Sequence, residues 1–150
     1  MAASISLKSV AKKINNNTVI ADLDIGLEKG TRLAIIGSND SGKSTLLRLL
    51  SGVIDADSGD IFFNGQKLHS KNYKLRREIC YIPEYIDFDK NLNIYENLYI
   101  YLRLNKKISL NDANNEIQHW CSVFNFNNIL YSQINSVALG RLRLLQLIRV

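Results

Sequence analysis

One eight-residue run, Gly37–Ser44, constrains the fold of this chain more than any other feature. Its letters, GSNDSGKS, fit the pattern G-x-x-x-x-G-K-[S/T]. The short apolar run Arg32–Ile36 comes before it and predicts a buried strand. The leucine-rich run 45–50 follows it and predicts an apolar-faced helix that ends at Gly52. This order of strand, glycine-rich loop and helix predicts an α/β fold.

The loop has the chemistry to bind the phosphates of a nucleotide. Gly37 and Gly42 let the backbone turn tightly, and a helix that starts near Lys43 offers free N–H groups and the positive end of its dipole. We expect Lys43 to reach the β- and γ-phosphates and the Ser44 hydroxyl to ligate Mg²⁺. An ordinary glycine turn is the alternative interpretation. The predicted ATP-binding residues of the loop are Gly37, Ser38, Asn39, Asp40, Ser41, Gly42, Lys43, Ser44 and Thr45.

The composition indicates a globular, cytosolic protein. The chain has 150 residues, of which 46% are hydrophobic, enough for one domain with a core. No apolar run approaches the ~18–20 residues of a membrane-spanning helix, and Met1–Val10 lacks the pattern of a secretory signal. The net charge is +5, but the basic residues are scattered, so no nucleic-acid partner is expected. Cys80 and Cys121 are expected to be buried free thiols, with a disulfide as the alternative.

The remaining pattern places strands mainly before residue 83 and helices after it. Beside the run 32–36, the predicted strands are 4–10, 22–27, 60–63 and 79–82. Turn chemistry is expected at Asn15–Asn17 and at Asn64-Gly65. The predicted helices are 93–104 and 109–124, the second with Ser109 as its N-cap and Asp112 three residues later.

The ordered set of motifs resembles the nucleotide-binding domain of ATP-binding cassette (ABC) transporters over nearly the whole chain. Beyond the phosphate loop, the similar segments are Asp57–Ile61 with Asn64-Gly65, Tyr81–Glu84 at the Q-loop position, Asn91–Leu98, and Val137–Arg141 at the position of the L-S-G-G-Q signature, followed by a helix over 143–150. The resemblance implies an α/β P-loop NTPase core with an N-terminal antiparallel β part. It also implies that residues 1–150 form a single nucleotide-binding domain with an α-helical subdomain inserted at about 91–133.

The resemblance implies a mechanism as well. Two such domains would pair head to tail and hold ATP and Mg²⁺ between the loop of one and the signature of the other. The signature residues would be Ala138, Leu139, Gly140 and Arg141. Lys43 and Glu84 would be catalytic, Ser44 and Glu84 would ligate the metal, and Ile14 would lie at the adenine. Integral membrane subunits would contact the helical part, which places the domain on the cytoplasmic side of the membrane as a peripheral subunit.

Five positions depart from the family pattern. Glu84 replaces the Q-loop glutamine, Ala138 the signature serine and Arg141 the signature glutamine. Asp40 replaces a glycine, and Ile14 stands where an aromatic residue would stack on adenine. Lost hydrogen bonds to charged groups, at about 1.5–3 kcal/mol each, and a carboxylate near the phosphates predict weak binding of Mg-ATP.

The resemblance also implies that the Walker B strand, the catalytic glutamate and the switch histidine lie beyond Val150. We therefore expect a truncated domain that hydrolyses ATP poorly by itself, although the complete domain would be an ATPase.

The function expected first is the ATP-binding subunit of an ABC transporter that exports its substrate. Leu46–Gly52 together with Gly65–His69 resembles the haem-exporter type of cytochrome c maturation, and Pro83-Glu84 resembles the multidrug type. The alternatives are a degenerate, non-hydrolysing regulatory subunit and a soluble ABC-type protein that acts on ribosomes or DNA.

Overall fold

The computed structural model describes residues 5–85 and 87–149, so the expectations for Ser4 and Val150 lie outside the described residues. The chain divides into two units, Met1–Tyr81 and Ile82–Val150. The first unit contains a four-stranded sheet and the glycine-rich loop, and the second unit is helical. The fold class agrees with the sequence-based expectation of an α/β protein with an antiparallel β part.

The sheet consists of the strands β1 (Ile5–Ile14), β2 (Asn17–Leu27), β3 (Ser58–Phe63) and β4 (Gln66–Lys67). Their order across the sheet is β2-β1-β3-β4, with every neighbouring pair antiparallel. The β1–β2 hairpin turns at Asn15 and Asn16, whose φ angles are 50° and 64°. Asparagine tolerates this left-handed backbone better than most residues, so the turn predicted at Asn15–Asn17 is confirmed.

The core of the first unit joins the sheet to α1 (Lys43–Leu50) and to the short helix α2 (Tyr73–Arg76). Its buried hydrophobic residues are Leu7, Val10, Ile20, Leu49, Leu50, Ile61, Leu68 and Leu75. Because Leu49 and Leu50 are buried with strand residues, α1 is anchored on the sheet. The loop that precedes α1 is thereby held beside β2.

Two of the strand predictions are wrong. Residues 32–36 and 79–82 have no regular secondary structure, and Leu33 and Ile36 are 48% and 92% exposed. An apolar run becomes a strand only when another strand pairs with it, and within residues 5–85 and 87–149 neither run has a ladder partner. Cys80 is exposed rather than buried, whereas Cys121 is buried as expected; both thiols are free.

The second unit is built from three main helices around its own core. They are α3 (Ile94–Asn105), α4 (Leu110–Val123) and α5 (Leu139–Ile148), with a 3-10 turn at Ile134–Ser136. The helices predicted over 93–104 and 109–124 are therefore confirmed. So is the N-cap of α4, because Ser109 Oγ accepts a hydrogen bond from the Asp112 backbone N–H at 3.1 Å.

The start of α3 is fixed by three side chains of the Asn91–Leu98 segment. Asn93 Oδ1 accepts from the Glu96 backbone N–H at 2.9 Å, and Glu96 Oε2 accepts from the Asn93 backbone N–H at 2.8 Å. This reciprocal pair is a capping box. The buried Asn97 amide accepts from the Asp89 N–H and donates to the Asp89 carbonyl, at 2.8 and 3.0 Å. The Asn97 side chain thus supplies hydrogen-bond partners for the backbone N–H and carbonyl of Asp89 in the preceding loop.

Candidate nucleotide-binding site

The glycine-rich loop lies directly against β2. Gly42 is the N-cap of α1 with a φ of 92°, a left-handed conformation that favours glycine. A Cβ on Gly42 would lie 2.8 Å from Val19 Cγ1 and 3.2 Å from the Val19 carbonyl oxygen. Gly37 is also crowded, since a Cβ there would lie 2.6 Å from Ser41 Oγ. Gly42 is therefore required by its backbone conformation and by the close approach of β2, whereas at Gly37 the Ser41 side chain would have to move.

The N-terminus of α1 is open to an anion. The first helical hydrogen bond runs from the Leu46 N–H to the Gly42 carbonyl at 2.8 Å. Within the part of the chain that the structure describes, no side chain caps this helix, and its first turn has no acidic residue. The early N–H groups and the positive end of the helix dipole are therefore available to bind a phosphate.

Lys43 brings a positive charge to the same loop. Its ammonium donates to the Gly37 carbonyl at 3.0 Å and to the Ser38 carbonyl at 2.5 Å. An ammonium has three protons, so these two bonds leave one for a further acceptor. The loop thus holds the cation close to the backbone that would surround a phosphate.

An open pocket of about 770 Å³ adjoins the loop, a volume typical of small-molecule sites. Its lining residues are Ile14, Asn15, Asn17, Thr18, Val19, Asp40, Ser41, Gly42, Lys43, Ser44 and Thr45. The structure therefore brings Ile14 together with most of the loop residues predicted from the pattern. Gly37 lines an adjoining pocket of about 340 Å³, and Ser38 and Asn39 are exposed on the loop.

Sequence reasoning missed four residues of this pocket: Asn15, Asn17, Thr18 and Val19. They belong to the turn and the start of β2, which the antiparallel pairing brings beside the loop. The signal that could have found them is the Asn15–Asn17 turn next to Ile14. We interpreted that turn as chain reversal alone.

The site fits a nucleotide phosphate better than a free metal ion. The loop backbone lies close to neighbouring atoms at its glycines, and the Lys43 ammonium gives the loop one positive charge. The loop ends at the uncapped N-terminus of α1. Among the described residues, no group of three or more His, Cys, Asp or Glu side chains could hold a metal ion. Ser44 is exposed in the pocket and could supply one oxygen, so Mg²⁺ would need the phosphate oxygens as further ligands. Asp40, with a φ of 63°, adds a carboxylate that opposes an anion.

The other predicted site residues belong to the helical unit. Glu84 is exposed and lies in a segment without regular secondary structure. Ala138 is the N-cap of α5, with φ −58° and ψ 139°, and Leu139, Gly140 and Arg141 form the exposed first turn. No described side chain caps this helix either, because Ala138 lacks the hydroxyl that a serine would place at the N-cap.

The sheet, the loop and the open helix N-terminus define a P-loop nucleotide-binding protein. A family model described as "ABC transporter" matches residues 20–150, so this chain belongs to the ABC transporter family. The resemblance inferred from the ordered motifs is thereby confirmed at the level of the family.

Named relatives match along part of their own length. The sulfate/thiosulfate import ATP-binding protein CysA of Bacillus cereus is 33% identical over 107 residues, which cover 69% of this chain and 29% of that protein. The ABC transporter ATP-binding protein YtrB of Bacillus subtilis is 40% identical over 79 residues, 53% of this chain and 27% of that protein. The ribose import ATP-binding protein RbsA of Clostridium tetani is 29% identical over 154 residues, 97% of this chain and 30% of that protein. The chain therefore spans less than a third of each of these relatives.

Solved structures support the fold. A structure described as the ATP-binding subunit of an ABC transporter has a TM-score of 0.79 at 22% identity, covering 99% of this chain and 61% of that one. A dimeric ATP-binding cassette in a post-hydrolysis state, bound to ADP and Pi, has a TM-score of 0.81 at 16% identity, covering 97% of this chain and 68% of that one. Within residues 5–85 and 87–149, no helix combines the length and the hydrophobicity that spanning a bilayer requires.

Proposed function

We propose that this chain forms the ATP-binding part of an ABC transporter subunit, with Gly37–Ser44 as the loop that holds the phosphates. The observation that carries the proposal is the loop itself. It is packed on β2 through Gly42, holds the Lys43 ammonium against its own carbonyls and opens onto the free N-terminus of α1. These three features together favour the binding of a phosphate anion.

Three side chains of the pocket have distinct proposed roles. Lys43 directs its remaining proton to the β- and γ-phosphates, and Ser44 offers its hydroxyl to the metal. Mg²⁺, when bound, neutralises charge on the phosphates. Ile14, 40% exposed at the end of β1, gives the base an apolar surface instead of an aromatic one.

The proposal extends to residues of the helical unit. Glu84 acts as a catalytic and metal-binding carboxylate, and Ala138–Arg141 contact the ATP of a second nucleotide-binding domain. The open first turn of α5 supports this role, because its N–H groups have no side-chain cap. We also propose that residues 1–150 belong to one nucleotide-binding domain with a helical part at about 91–133, that this part binds integral membrane subunits, and that the domain lies on the cytoplasmic face.

The proposal names a family of transporters but no direction of transport. Two of the relatives described above are named as import proteins, and the third name gives no direction. The haem-exporter and multidrug interpretations, with the link to cytochrome c biogenesis, have no support from these relatives. The proposal is therefore a transporter subunit whose substrate and direction are set by its membrane partners.

A degenerate regulatory subunit is the second candidate. Asp40 places a carboxylate in the phosphate pocket, and Ala138 removes the signature hydroxyl. Both changes oppose tight ATP binding and turnover, and they would suit a subunit that senses nucleotide without hydrolysing it.

The proposal is tested by titrating the 150-residue chain with Mg-ATP in a calorimeter. We expect weak saturable binding that Lys43→Ala reduces by about 10- to 150-fold, the equivalent of about 1.5–3 kcal/mol for hydrogen bonds to a charged group. Lys71→Ala removes an exposed lysine outside the pocket and should bind like the wild type. If the wild type does not bind, or if both variants bind equally, the loop assignment is wrong.

A further inference from the structure

The β1–β2 hairpin places an apolar side chain and an amide side by side at the wall of the nucleotide pocket. Ile14 and Asn17 are direct partners across the two strands, and both line the pocket beside the glycine-rich loop. Directly opposite residues of an antiparallel pair lie on the same face of the sheet, within contact distance of one another. A single ligand can therefore contact both side chains.

The backbone of the turn does not explain why residue 17 is an asparagine. Asn15 and Asn16 have φ angles of 50° and 64°, and this left-handed conformation favours asparagine. Asn17, by contrast, begins β2, and asparagine is depleted in β-strands. Its side chain is exposed and lines the pocket. The residue type therefore fits contact with a ligand better than formation of the strand.

Asn15 brings a second amide to the same wall. It is exposed and lines the pocket, whereas Asn16, the next residue of the turn, is exposed but does not line it. A side-chain amide carries one acceptor oxygen and two N–H donors. Two amides close to the apolar side chain of Ile14 have the chemistry to bind a flat heterocycle, which is apolar on its face and polar at its edge.

We propose that Asn15 and Asn17 bind the edge of the nucleobase whose face rests on Ile14, and that their amides make the site selective for adenine. The inference rests on the proposed function, because it requires Gly37–Ser44 to hold the phosphates of the same nucleotide. Adenine presents its 6-amino donor beside the N7 acceptor, which one amide matches with two hydrogen bonds, whereas guanine presents two acceptors, O6 and N7, at that edge. Hydrogen bonding thus replaces part of the attraction that an aromatic residue at position 14 would give.

The first experiment measures selectivity as the ratio of Kd for Mg-GTP to Kd for Mg-ATP. We expect the wild-type chain to prefer ATP by about two- to twelvefold, the worth of one hydrogen bond. Asn17→Ala removes one amide, and Asn15→Gly removes the other while keeping a residue suited to a positive φ; each should lower the ratio towards one. Asn16→Gly, the matched control from the same turn, should keep the wild-type ratio. A wild-type ratio in either pocket variant, or an equal fall in the control, would overturn the proposal.

Inorganic tripolyphosphate separates the base from the phosphates. It has no base, so Asn17→Ala and Asn15→Gly should bind it as tightly as the wild type, whereas Lys43→Ala should bind it more weakly. Weaker binding of tripolyphosphate by the asparagine variants would put the amides at the phosphates and contradict the proposal. If the wild type binds ATP through Lys43 but does not prefer ATP to GTP, this inference fails and the proposed function stands. If wild-type binding is absent, the proposed function fails first.

The analogue 7-deaza-ATP tests the same contact from the side of the ligand. Carbon replaces N7 in this nucleotide, so the wild type should bind it about two- to twelvefold more weakly than ATP. The double variant Asn15→Gly with Asn17→Ala should bind the two nucleotides equally, because the donors to N7 are already absent. Equal affinity of the wild type for ATP and 7-deaza-ATP would contradict the proposal, and this comparison remains decisive even if the substitutions prevent folding.

Discussion

Val19 on β2 lies directly behind Gly42, so close that a Cβ on the glycine would stand 2.8 Å from Val19 Cγ1. The contact explains why the loop cannot carry a larger residue at this point. It also shows that a strand well before the loop in sequence forms one wall of the nucleotide pocket. The shape of the phosphate loop therefore depends on the hairpin as well as on its own residues.

Gly42→Ala should destabilise the chain and abolish ATP binding. The substitution puts a Cβ on a residue with a φ of 92° and drives it into Val19. Gly65→Ala is the matched control, because Gly65 has a φ of 77° with no atom within 4 Å of its Cβ position. The control should lose about 1–2 kcal/mol in urea unfolding, and Gly42→Ala more. Val19→Ala should partly restore the stability of the Gly42→Ala variant. If Gly42→Ala is no less stable than Gly65→Ala and Val19→Ala restores nothing, the steric argument is wrong.

Asp40→Asn should tighten Mg-ATP binding severalfold. The carboxylate lies in the pocket with the phosphates, and two unit charges about 4 Å apart in water interact by about 1 kcal/mol. Asparagine keeps the shape and also tolerates the φ of 63°. Titrations at low and high salt should show a gain that shrinks as salt screens the charge. Asp22→Asn, an exposed residue with a φ of 46°, should change nothing; an equal effect would refute a local cause.

Ala138→Ser should stabilise α5 by about 1 kcal/mol, because a hydroxyl at the N-cap can accept from a free N–H of the first turn. Ser109→Ala should produce the opposite change at α4, where Ser109 already accepts from Asp112 N–H. Thermal and urea unfolding measure both. An unchanged midpoint in Ala138→Ser would mean that the backbone N–H groups in the first turn of α5 gain no hydrogen bond from the added hydroxyl.

The stability of the first unit should fall in acid partly through Asp57. The Lys12 ammonium at 2.7 Å and then the Lys13 N–H at 2.7 Å hold the pKa of Asp57 below its ordinary value of 3.8. A lowered folded pKa means that the contribution is complete above the unfolded value and is lost as the pH falls through the folded value. Asp57→Asn should therefore be less stable than wild type at about pH 7, and this difference should shrink as the pH falls towards about 2. Urea midpoints at both values check this, and a constant difference would exclude the ionic cause.

The sequence predicted the glycine-rich loop, helix α1, the β1–β2 hairpin and the helices α3 and α4 well. These features depend on residues near one another in the chain. Gly42 and Lys43 belong to one pattern, Asn15 and Asn16 favour a left-handed turn, and Ser109 caps the helix next to it. Even the membership of a family followed from the order of such local motifs.

The runs 32–36 and 79–82 show where this reasoning ends. Their apolar residues predict strands, but a strand exists only through hydrogen bonds to another strand. The residues of the run do not specify whether another strand will pair with it. The burial of Cys80 was wrong for a similar reason, since it was inferred from residue type alone.

The sequence by itself determined the phosphate-binding chemistry, because a loop of eight consecutive residues carries the turns, the cation and the helix start. Tertiary structure alone decided that Val19 and the Asn15–Asn17 turn complete the pocket beside that loop. Those contacts join residues far apart in sequence, so they arise from the pairing of strands and the packing of helices, which local patterns do not encode.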